Sequence, residues 1–223
     1  MSVIAPSTKE QIVLAAERLF AERGIDGVSL RQIGVAAGNG NNSAVQYHFG
    51  SKERLLRAVF EYRLPWLNER GALLIAERHP DDLRSSVECA ARPLLEQSEL
   101  DGSNYMSFVA MVYQYGRRDL FEQLPDIFLS ATRTYHHRLA KFLHHIPEPL
   151  RTHRVAQANV LLVHAAADRE RARTAGQVLP PFAVALGDLI DGTVGFLAAP
   201  VSATTREALE RAESGHVTWP TFL

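Results

Sequence analysis

The sequence has little cysteine, no excess of charge of either sign and no long apolar run. Cys89 is its single cysteine, so the chain cannot form an intramolecular disulfide, and a reducing, cytoplasmic location is expected. A formal net charge of −1 argues against a nucleic-acid-coating protein that is basic over its whole surface, but it does not exclude a local basic face. Charge-free runs fall short of the ~18–20 apolar residues of a membrane span, and no secretory signal pattern opens the chain. No membrane partner is therefore expected.

Helix start and stop signals recur along the chain, whereas runs of alternating polar and apolar residues do not. Ser7 and Ser29 each precede a Glu or Gln by three residues, which is the spacing of a capping box. Gly24 and Gly50 are placed to end helices. The pattern predicts an all-α fold. Three short helices are followed by a long one from Ser51 to about His79, bent near Pro65, and then by helices near 82–99, 104–116, 119–145, 149–175, 181–199 and 203–214. Pro93 and Pro125 lie inside two of these spans, where a proline is able to kink or split the helix.

The segment NSAVQYHF, residues 42–49, combines two inward positions with a polar outward face. Val45 and Phe49 are four residues apart and therefore share one face of a helix, which is expected to pack on the first two helices. The other side chains face outward or sideways, as they must on a helix that enters the major groove of DNA. The sequence thus predicts a helix-turn-helix domain over residues 1–54 and a helical domain over residues 55–223.

The run FAERGIDGVSLRQIGVAAGNGNNSAVQYHFGSKERLL resembles the N-terminal domain of tetracycline-repressor-type (TetR-type) transcriptional regulators. The matching or nearly matching positions are Phe20, Gly24, Ser29, Ile33, Ala37, Gly38, Val45, Tyr47, His48, Phe49, Ser51, Lys52, Glu53 and Leu55. The turn AGNGNN is one residue longer than usual, and Gln46 stands where the family often has Tyr, which suggests a distinct base preference. Beyond about Phe60 only length and helical layout are similar.

The resemblance implies a homodimer that binds double-stranded operator DNA and is released by a small molecule. Repression is favoured, and activation remains the alternative because it needs the same reading head. Phosphate contacts are implied for Thr8, Lys9, Ser29, Arg31, Tyr47, His48 and Lys52. Base contacts are implied for Asn42, Ser43, Ala44 and Gln46. Amide side chains pair well with adenine, which agrees with these assignments. Ser29 and Tyr47 also have purely structural interpretations, as a helix cap and as a half-buried ring.

Large apolar side chains concentrate between residues 105 and 135, where they form either a helical core or the wall of an apolar ligand chamber. The predicted chamber residues are Trp66, Tyr105, Phe108, Met111, Val112, Tyr115 and Phe128. An apolar or aromatic effector is favoured over a sugar, and no cofactor is expected. The histidines between 136 and 145 lack the spacing of a metal motif, so no metal site is predicted.

Two helices near 152–173 and 181–199 are predicted to form the dimer interface, since resembling regulators dimerise through two such helices from each subunit. The predicted contact residues are Val155, Asn159, Leu162, Val163, Ala166, Phe182, Leu186, Leu189, Ile190 and Phe196. Gly187, Gly192 and Gly195 would let helix backbones approach closely, offsetting the cost of glycine in a helix. A helix pair within one chain is the alternative.

Two other classes of protein remain open. His164 and Asp168, four residues apart on one helix, suggest an enzyme, although no nucleophile elbow, metal motif or phosphate loop accompanies them. The second alternative is a helix-turn-helix protein that assembles with other proteins and binds no DNA. A basic surface around Arg31 and Lys52 would favour DNA binding.

Overall fold

The structure, a computed structural model, describes residues 6–38, 43–116, 120 and 124–212. Within these ranges the chain forms ten helices and no strand, which confirms the predicted all-α class. The helices are α1 (Thr8–Arg23), α2 (Leu30–Ala36), α3 (Ser43–His48), α4 (Lys52–Arg78), α5 (Leu83–Ser98), α6 (Tyr105–Gln114), α7 (Asp126–Phe142), α8 (Leu150–Thr174), α9 (Phe182–Ala198) and α10 (Ala203–Ala212). No single described helix has the length and apolarity to cross a membrane; α9 and α10 meet that test only together, across a 58° bend.

Both predicted capping boxes form and fix the starts of the first two helices. The Ser7 hydroxyl accepts a hydrogen bond from the Glu10 amide at 3.3 Å, and the Ser7 amide donates to the Glu10 carboxylate at 2.7 Å. Ser29 and Gln32 exchange the same two bonds at the start of α2. Gly24 ends α1 with a φ of 73°, a conformation that a side chain disfavours.

Helix α4 runs unbroken along the molecule from Lys52 to Arg78. The Ser51 hydroxyl caps its start by accepting a hydrogen bond from the Arg54 amide at 3.3 Å. Pro65 lies at an exposed position inside it, and residues 52–78 remain one helix, since a proline removes a single backbone donor. The proposed domain limit at residue 54 falls in the first turn of α4, so this helix continues from the helix-turn-helix into the C-terminal helices.

The helical span predicted near residues 119–145 is split at Pro125 and ends three residues earlier than predicted. Helix α7 begins at Asp126, because Pro125 has an extended backbone and precedes the first turn. It ends at Phe142, and His144 and His145 lie in a turn ahead of Pro147. Residues 117–119 and 121–123 lie outside the described part of the chain.

An aromatic cluster joins the N-terminal helices to the C-terminal ones. Phe20 of α1, Phe60 of α4 and Phe108 of α6 are fully buried. The ring centroids of Phe60 and Phe108 are 5.1 Å apart, and those of Phe20 and Phe108 are 6.3 Å apart. Because α1, α4 and α6 share this core, a displacement of α4 or α6 is transmitted to α1.

Candidate nucleic-acid interface and ligand cavity

Helix α3 is anchored by two buried side chains and exposes the rest of its surface. Val45 is fully buried and Phe49 is 5% exposed, which confirms their predicted inward orientation. Gln46, Tyr47 and His48 are all exposed, and Tyr47 reaches 85% exposure. The interpretation of Tyr47 as a half-buried, stabilising ring is therefore wrong. An aromatic ring so exposed contributes little to the core and is free to contact another molecule.

Four of the polar residues predicted to contact phosphates from outside α3 are exposed. Thr8 and Lys9, in the first turn of α1, are exposed, as are Ser29 and Arg31 at the start of α2. Ala44 is half-buried against the core. Asn42 and the side chain of Ser43 lie outside the described residues.

Lys52, one of the predicted phosphate ligands, already has a partner for its ammonium within the domain. Its Nζ donates a hydrogen bond to the Ile25 carbonyl oxygen at 3.0 Å, and the side chain is half-buried. This bond ties the start of α4 to the turn after α1. Two of the three ammonium protons stay available, so Lys52 combines a structural bond with a positive charge near α3.

A cavity of about 570 Å³ opens between α4, α5 and α7, with α8 at one wall. Most of its wall is apolar, and the polar side chains that reach it include Asn68, Ser86, Tyr135, Arg138 and Asn159. Its size is that of a site for a small organic molecule, and it touches the same long helix that begins beside α3.

The cavity lies beside the predicted chamber residues rather than among them. Four of those residues, Tyr105, Phe108, Met111 and Val112, lie on α6 and are buried in the core of the protein. The other three lie elsewhere: Tyr115 is 62% exposed near Gly24, Trp66 is 38% exposed, and Phe128 is half-buried. The described cavity wall includes none of the seven. The apolar character of the four residues on α6 reflects their place in the core, which apolar patterning cannot distinguish from a chamber.

Two buried carboxylates, both missed from the sequence, hold the start of α6. Glu17 of α1 accepts two hydrogen bonds from Arg63 of α4, at 2.7 and 2.9 Å, and one from the Asn104 amide at 2.9 Å. Although burial opposes the charged form, Glu17 raises the pKa of Arg63 above its ordinary value. These bonds link the helix-turn-helix directly to α4 and α6.

Glu170 of α8 is the second of these carboxylates. It accepts hydrogen bonds from the Ser103 hydroxyl at 3.0 Å, from the Met106 amide at 3.3 Å and from the Ser107 amide at 2.8 Å. Burial raises its pKa, and these hydrogen bonds act in the opposite direction. Glu17 and Glu170 each lie on the same helix face as buried apolar residues. A carboxylate at such a position was the one sequence feature that could have indicated its burial.

Most of the side chains predicted for the dimer interface are buried within this chain. Val155, Leu162, Val163, Ala166, Leu186 and Ile190 are at most 4% exposed. Asn159 donates a hydrogen bond to the Tyr113 hydroxyl oxygen at 3.0 Å. Leu189 and Phe182 are half-buried, and Phe196 is 38% exposed. These residues were predicted from their apolar periodicity, which is a property of any buried helix face. In this protein that face packs against other helices of the same subunit.

The other face of the same two helices is open. Its apolar members include Leu161, 42% exposed, and Val184, 60% exposed, together with Phe196. A Cβ atom added at Gly187, Gly192 or Gly195 would meet no atom of the described chain within 4 Å. These glycines therefore serve no close helix contact among the described residues.

The pair suggested for an enzyme does not form. The His164 ring nitrogen Nδ1 lies 3.0 Å from the Val160 carbonyl oxygen of its own helix. Asp168 instead accepts a hydrogen bond from Arg171. Among the described residues there is also no group of three or more His, Cys, Asp or Glu side chains placed to hold a metal ion.

Residues 12–59, which span α1 to the first part of α4, match the family model described as bacterial regulatory proteins, tetR family. The segment from α1 to the first part of α4 is thus similar to the tetR family. Over 70 residues the chain is also 34% identical to the HTH-type transcriptional repressor NicS of Pseudomonas putida. That match covers 31% of this chain and spans about a third, 32%, of the length of NicS.

The solved structures show that the fold extends beyond the tetR-family domain. The ketosteroid transcriptional regulator KstR2 of Mycobacterium tuberculosis superposes with a TM-score of 0.58 at 17% identity, covering 85% of this chain and 96% of its own. AibR, solved in complex with isovaleryl coenzyme A and operator DNA, gives a TM-score of 0.53 at 16% identity, covering 87% of this chain and all of its own. The C-terminal helices thus share the architecture of these regulators.

Proposed function

We propose that the chain is a ligand-responsive, DNA-binding transcriptional regulator that represses by occupying a two-fold symmetric operator as a homodimer. The observation that carries the proposal is the geometry of α3, which is anchored by Val45 and Phe49 and presents Gln46, Tyr47 and His48 to the outside. A proteinaceous partner would favour an apolar outward face, whereas polar side chains match the edges of bases. Such a protein binds rather than catalyses, and it acts in the cytoplasm, where bacterial DNA lies.

Release from the operator is explained by a ligand in the cavity between α4, α5 and α7. Helix α4 lines that cavity through Leu67 and Asn68, carries Arg63 against Glu17 of α1, and begins with Lys52 beside Ile25. A ligand that prefers one position of α4 thereby changes the distance between the two reading helices of a dimer. AibR, which has a similar fold and was solved with an acyl coenzyme A and operator DNA, supports this two-site arrangement.

Substitutions on α3 test the proposal. Tyr47→Ala is expected to weaken binding to every duplex and to reduce the salt dependence of affinity, since a phosphate contact carries no sequence information. Gln46→Ala is expected to cost about 1–3 kcal/mol at one base pair and to relax the preference there. Fluorescence anisotropy on duplexes selected from a random library, at two salt concentrations, measures both effects.

The matched control is Gln177→Ala, because Gln177 is an exposed glutamine of the loop between α8 and α9. It should leave affinity and preference unchanged. If Tyr47→Ala and Gln46→Ala also leave both unchanged, α3 is not the reading helix.

For the dimer we propose the open face of α8 and α9 as the contact surface, in place of the buried stripes. Leu161, Val184 and Phe196 supply exposed apolar area there. Gly192 and Gly195 leave room for the backbone of a partner helix. A glycine in a helix interior costs about 1 kcal/mol relative to alanine, and close packing against a second subunit would offset that cost.

Leu161→Arg is expected to convert the dimer to a monomer, because it places a charge at the centre of this surface. Multi-angle light scattering over a range of concentrations gives the mass directly. Leu73→Arg is the control, since Leu73 of α4 is similarly exposed, at 49%. A Leu161→Arg protein that stays dimeric would place the interface elsewhere.

A further inference from the structure

Two hydroxyl groups in the wall of the cavity have no hydrogen-bond partner. Ser86 Oγ on α5 and the Tyr135 hydroxyl on α7 are buried, and neither is bonded to any group of the described chain. Leaving such groups unsatisfied is costly, so native structures rarely do so without a reason. Burial raises the pKa of Tyr135, which keeps its hydroxyl protonated and able to donate. An occupant with acceptor atoms would satisfy both groups.

Arg138 stands one helical turn after Tyr135 and reaches the same cavity. Its Nη1 donates to the Pro80 carbonyl oxygen at 3.4 Å, a long and weak bond. No carboxylate of the described residues lies within ion-pair distance of it. The guanidinium therefore retains most of its five donors for a ligand.

Three arginines and one glutamate act on the thiol of Cys89, which lines the cavity beside Ser86. Burial raises the pKa of the neighbouring Cys89 thiol, Glu88 adds to the rise, and Arg138, Arg78 and Arg92 act against it. Glu88 is the acidic member of that group, and it is already shared between Arg78, at 3.5 Å, and Arg92, at 2.6 Å. Glu88 thus pairs with these two arginines and not with Arg138.

These groups form one end of the cavity, which we call the donor end and define as Ser86, Tyr135 and Arg138. Ser86 lies on α5, Tyr135 and Arg138 lie one turn apart on α7, and all three residues line the cavity. The rest of the described wall combines aliphatic residues, such as Leu64 and Ile75, with the polar residues Asn68, Glu69, Ser130, Thr132, Thr134 and Asn159. An anionic group fits the donor end, and a hydrocarbon body fits the remainder.

We propose that the cavity binds a small organic carboxylate with an apolar aliphatic or aromatic body, whose carboxylate accepts hydrogen bonds from Arg138, Tyr135 and Ser86. The inference rests on the proposed function in that it names the class of effector. It narrows the predicted class of effector from apolar small molecules in general to apolar molecules that carry a carboxylate. A carboxylate supplies enough lone pairs for all three donors, and a neutral ligand of the same shape leaves the guanidinium without a counter-charge.

The test compares two acids with their uncharged primary amides, using octanoate with octanamide and 3-phenylpropanoate with 3-phenylpropanamide. Isothermal titration calorimetry of the full-length protein, with no DNA present, gives each affinity. We expect at least one acid to bind about tenfold or more tightly than its amide, since a charge-assisted bidentate bond is about twice as strong as a neutral one. Amides that bind as tightly as the acids would overturn the proposal. So would the absence of saturable acid binding up to about 1 mM.

Arg138→Gln is expected to remove the preference for the acid while leaving amide affinity within about twofold. Arg133→Gln is the matched control on the same helix, because Arg133 is exposed and pairs with Asp126 at 3.0 Å. Tyr135→Phe keeps the ring and removes one donor, so it should weaken the acid about threefold or more, and it carries the test if Arg138→Gln does not fold. An acid preference that survives in a folded Arg138→Gln protein would overturn the assignment.

Failure of this inference is distinguishable from failure of the proposed function. Selective DNA binding by a protein with no preference for acids would overturn only the carboxylate assignment. A clear acid preference in a protein that selects no DNA sequence would instead identify a ligand-binding protein and overturn the regulator.

Discussion

Arg63→Met is expected to lower the free energy of unfolding by about 3–5 kcal/mol, the usual cost of removing one partner of a buried ion pair. The Glu17 side chain is 1% exposed, and after the substitution the Asn104 amide is the hydrogen-bond donor that remains to it among the described residues. The Glu17 carboxylate links α1 to α4 and to the start of α6. Loss of its Arg63 partner therefore destabilises the packing of all three helices. Urea unfolding monitored by circular dichroism measures the change.

Arg70→Met is the matched control for this substitution. Arg70 lies seven residues further along α4 and pairs with Glu96 at the same distances of 2.7 and 2.9 Å, but the two side chains are 30% and 23% exposed. Loss of the Arg70–Glu96 ion pair is expected to lower the free energy of unfolding by about 1 kcal/mol or less. The double variant Glu17→Gln/Arg63→Met should recover part of the stability lost in Arg63→Met, since no charge is then buried alone. Equal losses for Arg63→Met and Arg70→Met would contradict the structural importance given to Glu17.

The second large effect is a loss of stability in acid that depends on His136. Burial lowers the pKa of His136 in the folded protein to about 4, from an ordinary value of 6.5. Below pH 6.5 the unfolded chain takes up a proton that the folded protein does not. The free energy of unfolding therefore decreases as the pH is lowered from about 6.5 to 4. Linkage gives a loss of about 3 kcal/mol from this one group between pH 7 and pH 4.

His136→Leu removes the titrating group while filling the buried site. Urea unfolding at a series of pH values should show that the variant loses about 3 kcal/mol less than the native protein between pH 7 and pH 4. His144→Gln is the control, since His144 is exposed in the turn after α7. If the pH profiles of the native and His136→Leu proteins run parallel, His136 is protonated as readily in the folded chain as in the unfolded one.

Local signals were enough to predict the N-terminal helices. A serine with a Glu or Gln three residues later set the starts of α1 and α2, and the four-residue spacing of Val45 and Phe49 oriented α3. These features act over one or two turns of helix, so they can be predicted without knowledge of the tertiary fold.

Features that depend on distant contacts could not be predicted in the same way. Arg63 and Glu17 are 46 residues apart, and only the packing of α4 on α1 pairs them. Apolar periodicity identified Leu162 and Ile190 as buried, but it does not say whether a neighbouring helix or a second subunit covers them. The same ambiguity applies to the predicted chamber residues, since Phe108 is buried in the core and is not part of the described cavity wall.

The most direct measurement is the selection of bound duplexes from a random DNA library by the purified protein at two salt concentrations. The proposed function predicts a two-fold symmetric motif with half-sites about 34–36 Å, or one helical turn, apart, because each subunit presents one α3 helix to the major groove. Enrichment of that motif at both salt concentrations would support α3 as a dimeric reading head. Bulk binding that disappears with salt and enriches no sequence would contradict it, because charge alone would then account for the interaction.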